Sequence, residues 1–212
     1  MARNGPRFIV TGTDTGIGKS VFSAGLTALL DAEYWKPVQA GLEEETDSDL
    51  VKRLGSVPAD RIHGEGYRLR LAASPHHSAA AEGVAIDPAR LVPPDTARTL
   101  VIEGAGGALV PLTDDLLFAD LFARWNAPAV IVARTTLGTI NHSLMTLEAL
   151  RSRDVPVLGI AFIGDAHPGN ERTICAMGQV RRLGRLPLLK PLSAETLAAA
   201  MRDQFDPADF AC

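Results

Sequence analysis

The apolar run Phe8-Ile9-Val10 leads into Gly12-Thr13-Asp14-Thr15-Gly16-Ile17-Gly18-Lys19-Ser20, and an amphipathic stretch follows at once. A strand that turns through glycines into a helix, with Gly-Lys-Ser at the junction, is the setting of a phosphate-binding loop. The motif constrains the fold because the strand must be buried and the helix must start where the loop closes. Gly16 and Gly18 let the backbone wrap an anion, the amides at the helix start point at its oxygens, and Lys19 reaches the outer phosphates. The Ser20 hydroxyl suits Mg²⁺. Gly12 to Gly18 encloses five residues, one more than the common pattern, so the loop is a variant.

Strand and helix then alternate to the end of the chain. Arg7–Thr11, Glu33–Val38, Leu100–Glu103, Pro128–Ala133, Pro156–Ile163 and Arg185–Leu188 read as strands. Ser20–Leu30, Leu116–Trp125, Ile140–Arg151, Glu171–Leu183 and Ala194–Met201 read as helices. The expected fold is α/β, a doubly wound and mainly parallel sheet covered on both faces, P-loop NTPase-like, in a single domain over residues 1–212. Gly64–Arg98 is the least regular stretch. Pro75, Pro88, Pro93 and Pro94 interrupt its helical patterns, which predicts an irregular excursion from the sheet. Ligands of open α/β sheets sit beyond the carboxyl ends of the strands, and the remaining chemistry of the sequence lies there.

Lys36 closes the second expected strand ahead of Pro37, Gly41 and the acidic run Glu43-Glu44-Glu45-Thr46-Asp47-Ser48-Asp49. A lysine at a strand end is ordinarily a solvated surface charge; held in a tight loop beside a phosphate site, it is placed to neutralise a second anion. Most of the acids suit a loop and a helix first turn, while one Asp from this run would complement Ser20 on Mg²⁺. The strand Leu100–Glu103 delivers Glu103 into Gly104-Ala105-Gly106-Gly107. A buried strand gains nothing in packing from such an ending. Glu103 suits a metal ligand, and the glycines let amides approach a phosphate or substrate oxygen.

Composition narrows the partners. With 21 basic and 25 acidic residues, a formal charge of −4 supplies no positive field for nucleic acid or an anionic membrane. The longest apolar stretch, Ala127 to Ala133, is about a third of the roughly 20 residues of a membrane span. Arg3 and Arg7 precede a strand rather than a signal-peptide core, which points to a cytoplasmic protein. Cys175 and Cys212 fit neither a disulfide framework nor a metal finger. His63, His76, His77, His142 and His167 lack zinc-ligand spacing and are assigned structural or surface roles.

Read in order, several landmarks resemble the dethiobiotin synthetases of biotin biosynthesis. They are Val10-Thr11-Gly12-Thr13-Asp14-Thr15 with Gly18-Lys19-Ser20, Lys36-Pro37-Val38-Gln39-Ala40-Gly41, Asp47-Ser48-Asp49, Ser74-Pro75-His76 with Ala80-Ala81-Glu82-Gly83, Glu103 to Gly107, and Leu137-Gly138-Thr139-Ile140-Asn141-His142. The resemblance implies a homodimeric ATP- and Mg²⁺-dependent enzyme that joins CO₂ to 7,8-diaminopelargonate. One amine forms a carbamate, ATP phosphorylates it, and the second amine closes the ureido ring on the mixed anhydride, so no protein nucleophile is required.

By the same resemblance Lys36 holds the carbamate, and Lys19 and Thr15 stabilise the transferring phosphoryl group. Ser20, Asp49 and Glu103 hold Mg²⁺, with Asp49 preferred to Asp47. ATP is bound by Gly16, Ile17, Gly18, Lys19, Ser20, Val21, Asp49, Glu103, Gly104, Ala105 and Gly106, and its base by Gly164, Asp165, Pro187 and Leu188. The substrate meets Lys36, Ala40, Gly106 and Gly107, and its tail reaches Gly138 and Asn141 of the neighbouring subunit.

Three positions depart from the family pattern. Ala40 stands where some members carry Ser or Thr, leaving only a backbone amide for the substrate; Gly16 replaces a Glu; and Gly164 precedes Asp165 where an Asn is frequent. The segment Asp87–Arg98 is also short for a helix expected there. Two rival classes share the loop and fold. A partitioning-type switch ATPase carries an extra lysine where Asp14 stands, and an amidotransferase-type ligase carries a glutaminase domain for which this chain has no room. A bare binding module leaves Lys36 and Glu103 unexplained.

Overall fold

The structure, a computed structural model, describes residues 4–211; Arg3 and Cys212 lie outside the described residues. The chain runs through β1 (Arg7–Gly12), α1 (Lys19–Leu29), β2 (Glu33–Trp35), β3 (Val38–Ala40), α2 (Asp47–Leu54), β4 (Ile62–His63), β5 (Tyr67–Leu69) and α3 (Pro75–Ala81). It continues through β6 (Leu100–Gly107), α4 (Phe118–Trp125), β7 (Ala129–Arg134), α5 (Thr139–Arg151), β8 (Val157–Ile163), α6 (Pro168–Gly178), β9 (Arg182–Leu186) and α7 (Ala194–Gln204). Seven strands form one sheet in the order β4-β2-β6-β1-β7-β8-β9, and β3 pairs with β5 in a separate two-stranded sheet. Every ladder between these strands is parallel, as crossover helices require.

β1 sits between β6 and β7 and is buried on both faces, which its uninterrupted apolar run anticipates. Successive side chains of a strand point to opposite faces, and the two cores follow that alternation. Phe8 and Val10 pack with Phe22, Leu26, Val51, Leu197 and Met201 in one layer. Ile9 packs with Ile102, Ile131, Phe118, Phe122 and Leu150 in the other. The expected doubly wound α/β fold is borne out. Among the described residues no helix is long and apolar enough to cross a membrane.

Three segments differ from the expectation. The strand expected over Glu33–Val38 breaks at Lys36-Pro37: β2 stays in the main sheet, whereas β3 pairs with β5. Pro37 has no N–H to continue a ladder, and its carbonyl instead accepts from the amides of Gly66 and Tyr67. The helix expected to reach Leu183 stops at Gly178, because Gln179 takes a left-handed conformation with φ 43°. The next strand therefore runs over Arg182–Leu186 rather than Arg185–Leu188, burying Leu183 and Leu186. The excursion at Gly64–Arg98 contains α3 after all. Pro75 occupies its first turn, where a missing N–H leaves no bond unmade.

Candidate functional site

The carboxyl ends of β1, β2 and β6 converge on the loop between β1 and α1. Gly18, the residue before α1, has φ 95°, and a Cβ there would lie 2.9 Å from Ile163 Cδ1; only glycine meets both demands. No acidic side chain stands in the first turn of α1, so its amides and positive dipole end are free for an anion. Lys19 lies back along the loop, its Nζ donating to the Asp14 carbonyl at 2.9 Å. Asp14 is clamped in turn: Oδ1 accepts from the Thr15 amide at 2.7 Å, and Oδ2 pairs with Arg134 Nη2 at 2.8 Å.

Burial lowers the Lys19 pKa to about 8, against the opposing pull of Glu103. An arriving phosphate favours the charged ammonium and raises that pKa again. Nucleotide binding should therefore take up a proton near pH 8, and affinity should fall as pH rises through that value. Calorimetry in buffers of differing ionisation enthalpy would reveal the uptake; a buffer-independent heat at pH 8 would contradict it.

Four side chains from four segments meet beside Lys19. Ser20 Oγ lies 2.6 Å from Asp47 Oδ1 and 2.9 Å from Glu103 Oε1. Lys36 Nζ reaches Asp47 Oδ2 at 2.6 Å, Glu103 Oε1 at 3.2 Å and the Gly104 carbonyl at 3.1 Å, which occupies all three of its protons. Lys36 and Glu103 are 3% and 1% exposed. Burial by itself would lower the Lys36 pKa, but Glu103 and Asp47 outweigh it and hold the group above its ordinary value. Burial likewise works to raise the Asp47 pKa, and the Lys36 ammonium overrides it to hold the carboxyl below its usual range. Tyr34 donates from its hydroxyl to Glu103 Oε2 at 3.0 Å; burial first, then Glu103, pushes its pKa well above the ordinary phenol value.

The structure brings Asp47, not Asp49, to Ser20. Thr46 caps α2, accepting from the Asp49 amide, and its hydroxyl donates to Asp49 Oδ2 at 2.6 Å, so the exposed Asp49 carboxylate is turned outward. Residues two apart on a helix face nearly opposite ways, and α2 can offer only one of the pair inward. Gln39 settles which: Oε1 accepts from the Asp47 amide at 3.2 Å, while Nε2 donates to the Ala40 and Gly41 carbonyls. Replacing Thr46 by alanine should cost about 1 kcal/mol of stability, as losing an N-cap does, measurable as a lower Tm.

A cleft of about 650 Å³ opens over this cluster, lined among others by Thr15, Gly16, Gly18, Val21, Ala40, Ala105 and Gly106 together with Lys19, Ser20, Lys36 and Glu103. Gly16 also lines a second cleft of about 360 Å³ with Ile17, Thr135, Gly164, Asp165 and Leu188. Pro187 adjoins that cleft in sequence. Gly107 turns toward a third hollow with Asp14, Leu109 and Met145. Gly138 and Asn141, at the start of α5, are exposed and line none of these hollows. Asn141 Nδ2 contacts Met145 Sδ within its own helix. His76 bonds Ser74, and no group of three or more His, Cys, Asp or Glu among the described residues is placed to hold a metal.

Gly164 has φ 129°, and a Cβ there would fall 2.5 Å from Thr135 Oγ1. The departure to glycine is thus demanded by the neighbouring Thr135. Gly164→Asn should destabilise by about 1–3 kcal/mol, a Tm loss of several degrees at about 2–4 °C per kcal/mol. An unchanged Tm would mean the strand end relaxes freely.

A central parallel strand that feeds a Gly-Lys-Ser loop into a helix, with an acid from the adjacent strand beside the hydroxyl, defines a P-loop nucleotide-dependent protein. A family model described as an AAA domain matches residues 6–196. An ATP-dependent dethiobiotin synthetase BioD of Rhizorhabdus wittichii is 66% identical over 203 residues, 96% of this chain and 97% of that one. One from Rhodopseudomonas palustris strain BisA53 is 60% identical over 97% of this chain and 96% of its own length. The chain belongs to the ATP-dependent dethiobiotin synthetase family and is an enzyme. A ParA family ATPase from Chlorobium tepidum superposes with a TM-score of 0.50 at 12% identity, covering 95% of this chain and 93% of that one. At that identity the likeness is one of fold.

Proposed function

We propose that this enzyme closes the ureido ring of dethiobiotin from 7,8-diaminopelargonate, CO₂ and ATP, releasing ADP and phosphate. The observation that carries the reading is the ammonium of Lys36, buried against two carboxylates at the edge of the phosphate-loop cleft. That arrangement places a fixed cation next to, but outside, the loop that grips the phosphates. One substrate amine adds to CO₂, losing a proton to give a carbamate anion, and Lys36 exchanges one of its three present bonds to hold that anion against the cleft. The carbamate oxygen attacks the γ-phosphorus of ATP, ADP leaves, and Lys19, Thr15 and the loop amides stabilise the charge in transit. The second amine then attacks the carbamoyl carbon, the C–N bond closes the ring, and phosphate leaves carrying the proton that the nitrogen gives up.

The donor set of the cluster fits Mg²⁺. A hydroxyl and two carboxylates converge from Ser20, Asp47 and Glu103, the hard oxygens this ion takes when it keeps several waters and binds substrate phosphates. We assign Asp47 this role in place of Asp49. When bound, the ion neutralises charge on the outer phosphates. The base of ATP fits the second cleft, which Gly164, Asp165 and Leu188 line.

The substrate tail belongs to a homodimer. Gly138 and Asn141 stand at a helix N-terminus suited to a carboxylate, yet lie outside the cleft of their own chain. Leu109, Leu137 and Met145 expose apolar surface that a second copy would cover. We place the enzyme in the cytoplasm.

The deciding measurement is ADP release from Mg-ATP and bicarbonate with and without diaminopelargonate, with mass detection of the ureido product. Diamine-dependent ADP with matching product is the expected result. Hydrolysis indifferent to the diamine, with no product, would overturn the reading and favour a switch ATPase.

A further inference from the structure

We propose that Tyr34 is a positioning residue for the reaction, orienting Glu103 so that one carboxylate oxygen alone is offered to Ser20, Lys36 and the divalent cation. The inference rests on the metal reading above and extends it to a residue outside the cleft. Tyr34 and Glu103 lie on paired strands: β2 runs beside β6 in parallel, with Tyr34 opposite Val101. The phenol ring is fully buried in the apolar layer with Phe8, Val10 and Val51. Among the described residues its hydroxyl bonds Glu103 Oε2 alone, at 3.0 Å. The other oxygen, Oε1, takes both Ser20 Oγ at 2.9 Å and Lys36 Nζ at 3.2 Å.

The two oxygens of Glu103 therefore have separate duties. A carboxylate on a two-carbon stem has a broad terminal torsion, and nothing in the glycine run that follows Glu103 restrains it. Ser20 and Lys36 hold Oε1, and the Tyr34 hydroxyl supplies the matching restraint on Oε2 from inside the core, where the ring is locked by packing. Without it, Oε2 is a buried acceptor with no partner, and the carboxylate gains by rotating toward Lys36 or Ser20. Loss of an outer partner of this kind costs about ten- to a hundred-fold in metal affinity or activity.

The test is Tyr34→Phe, which keeps the ring and its packing, alongside Glu103→Gln and the double variant. Divalent-cation affinity is read directly by Mn²⁺ electron paramagnetic resonance titration in the presence of ADP, and turnover is read separately. The expected result for Tyr34→Phe is a Mn²⁺ affinity weakened about ten-fold or more and a fall in kcat of similar size, with KM for the diamine nearly unchanged. In the Glu103→Gln background the same substitution should add little, because residues acting through one another are not additive.

A Tyr34→Phe enzyme with wild-type Mn²⁺ affinity and kcat and only a lower Tm would overturn the proposal, leaving the phenol a structural group. Full additivity in the double variant would do the same. If Glu103→Gln itself retains Mn²⁺ affinity, the metal reading fails first and the role of Tyr34 with it. Should Tyr34→Phe fold poorly, 3-fluorotyrosine at position 34 keeps both ring and hydroxyl, and a Mn²⁺ affinity unmoved by this more acidic donor would count against the proposal.

Discussion

A Lys36→Ala enzyme is expected to lose ring closure by about a hundred- to a thousand-fold in kcat, the scale on which a single preorganised charge donor acts. ATP affinity should stay within a few-fold, since Lys19 and the loop amides proposed to take the phosphates are untouched. The same substitution should weaken the fold. Asp47 and Glu103 would face each other across Ser20 without the cation that now bonds both, and breaking a buried pair from one side costs about 3–5 kcal/mol. Added Mg²⁺ should restore part of the lost Tm in the variant by taking up the same two carboxylates. Undiminished turnover would remove Lys36 from the reaction.

The pH dependence of that stabilisation has a definite sign. The Lys36 pKa is raised in the folded protein, so its contribution is complete below the ordinary lysine value and is lost as pH climbs through the folded one. The Asp47 pKa is lowered, so its contribution is present above the ordinary carboxylate value and disappears as pH falls through the folded one. The pair thus stabilises across the whole neutral range. Urea titrations from pH 3 to 11 should show this plateau in the wild type and a shallower one in Lys36→Ala.

The second large effect separates two acids that are neighbours in sequence. Asp47→Asn should reduce kcat by about a hundred-fold, the upper end of what disturbance around a metal site costs, and should raise the Mg²⁺ concentration needed for half-maximal rate. Asp49→Asn should leave turnover near wild type and lose only the favourable placement of an acid in a helix first turn, about 0.3–1 kcal/mol. Steady-state rates across a Mg²⁺ series decide between them. The reverse ranking would return the metal role to Asp49.

This pair also marks how far the sequence could be read. The glycine loop, Lys36 and Glu103 were legible because each follows an apolar run, and the carboxyl ends of parallel strands must share one edge of the sheet. The choice between Asp47 and Asp49 was not, since it depends on where a helix begins, and Thr46 and Gln39 set that start through bonds from outside the helix. The role of Tyr34 is illegible in the sequence for a related reason. In a strand of three residues a tyrosine reads as core, and only the pairing of β2 with β6 reveals that its hydroxyl reaches an acid 69 residues away. The helix at Pro75 was hidden because proline reads as a breaker unless it is known to stand in the first turn. The break at Pro37 did carry a signal, the missing N–H, but the partner strand that β3 joins is too short to announce itself.

That break has a consequence for how molecules reach the site. Val38–Ala40 and Tyr67–Leu69 are laddered only to each other, and they carry Ala40 and the chain leading to Ala72, Ser74 and Pro75 on the rim of the cleft. The strands beneath Lys19 and Glu103 are laddered into the seven-stranded sheet. Amide exchange would test this seam: Val38 and Leu69 are anchored in the core, but their three-residue strands should trade protons for deuterium ahead of the strands beneath the phosphate loop, which belong to the larger sheet. On the proposed reading, passage of the diamine and its product beside that pair would be separated from retention of the nucleotide.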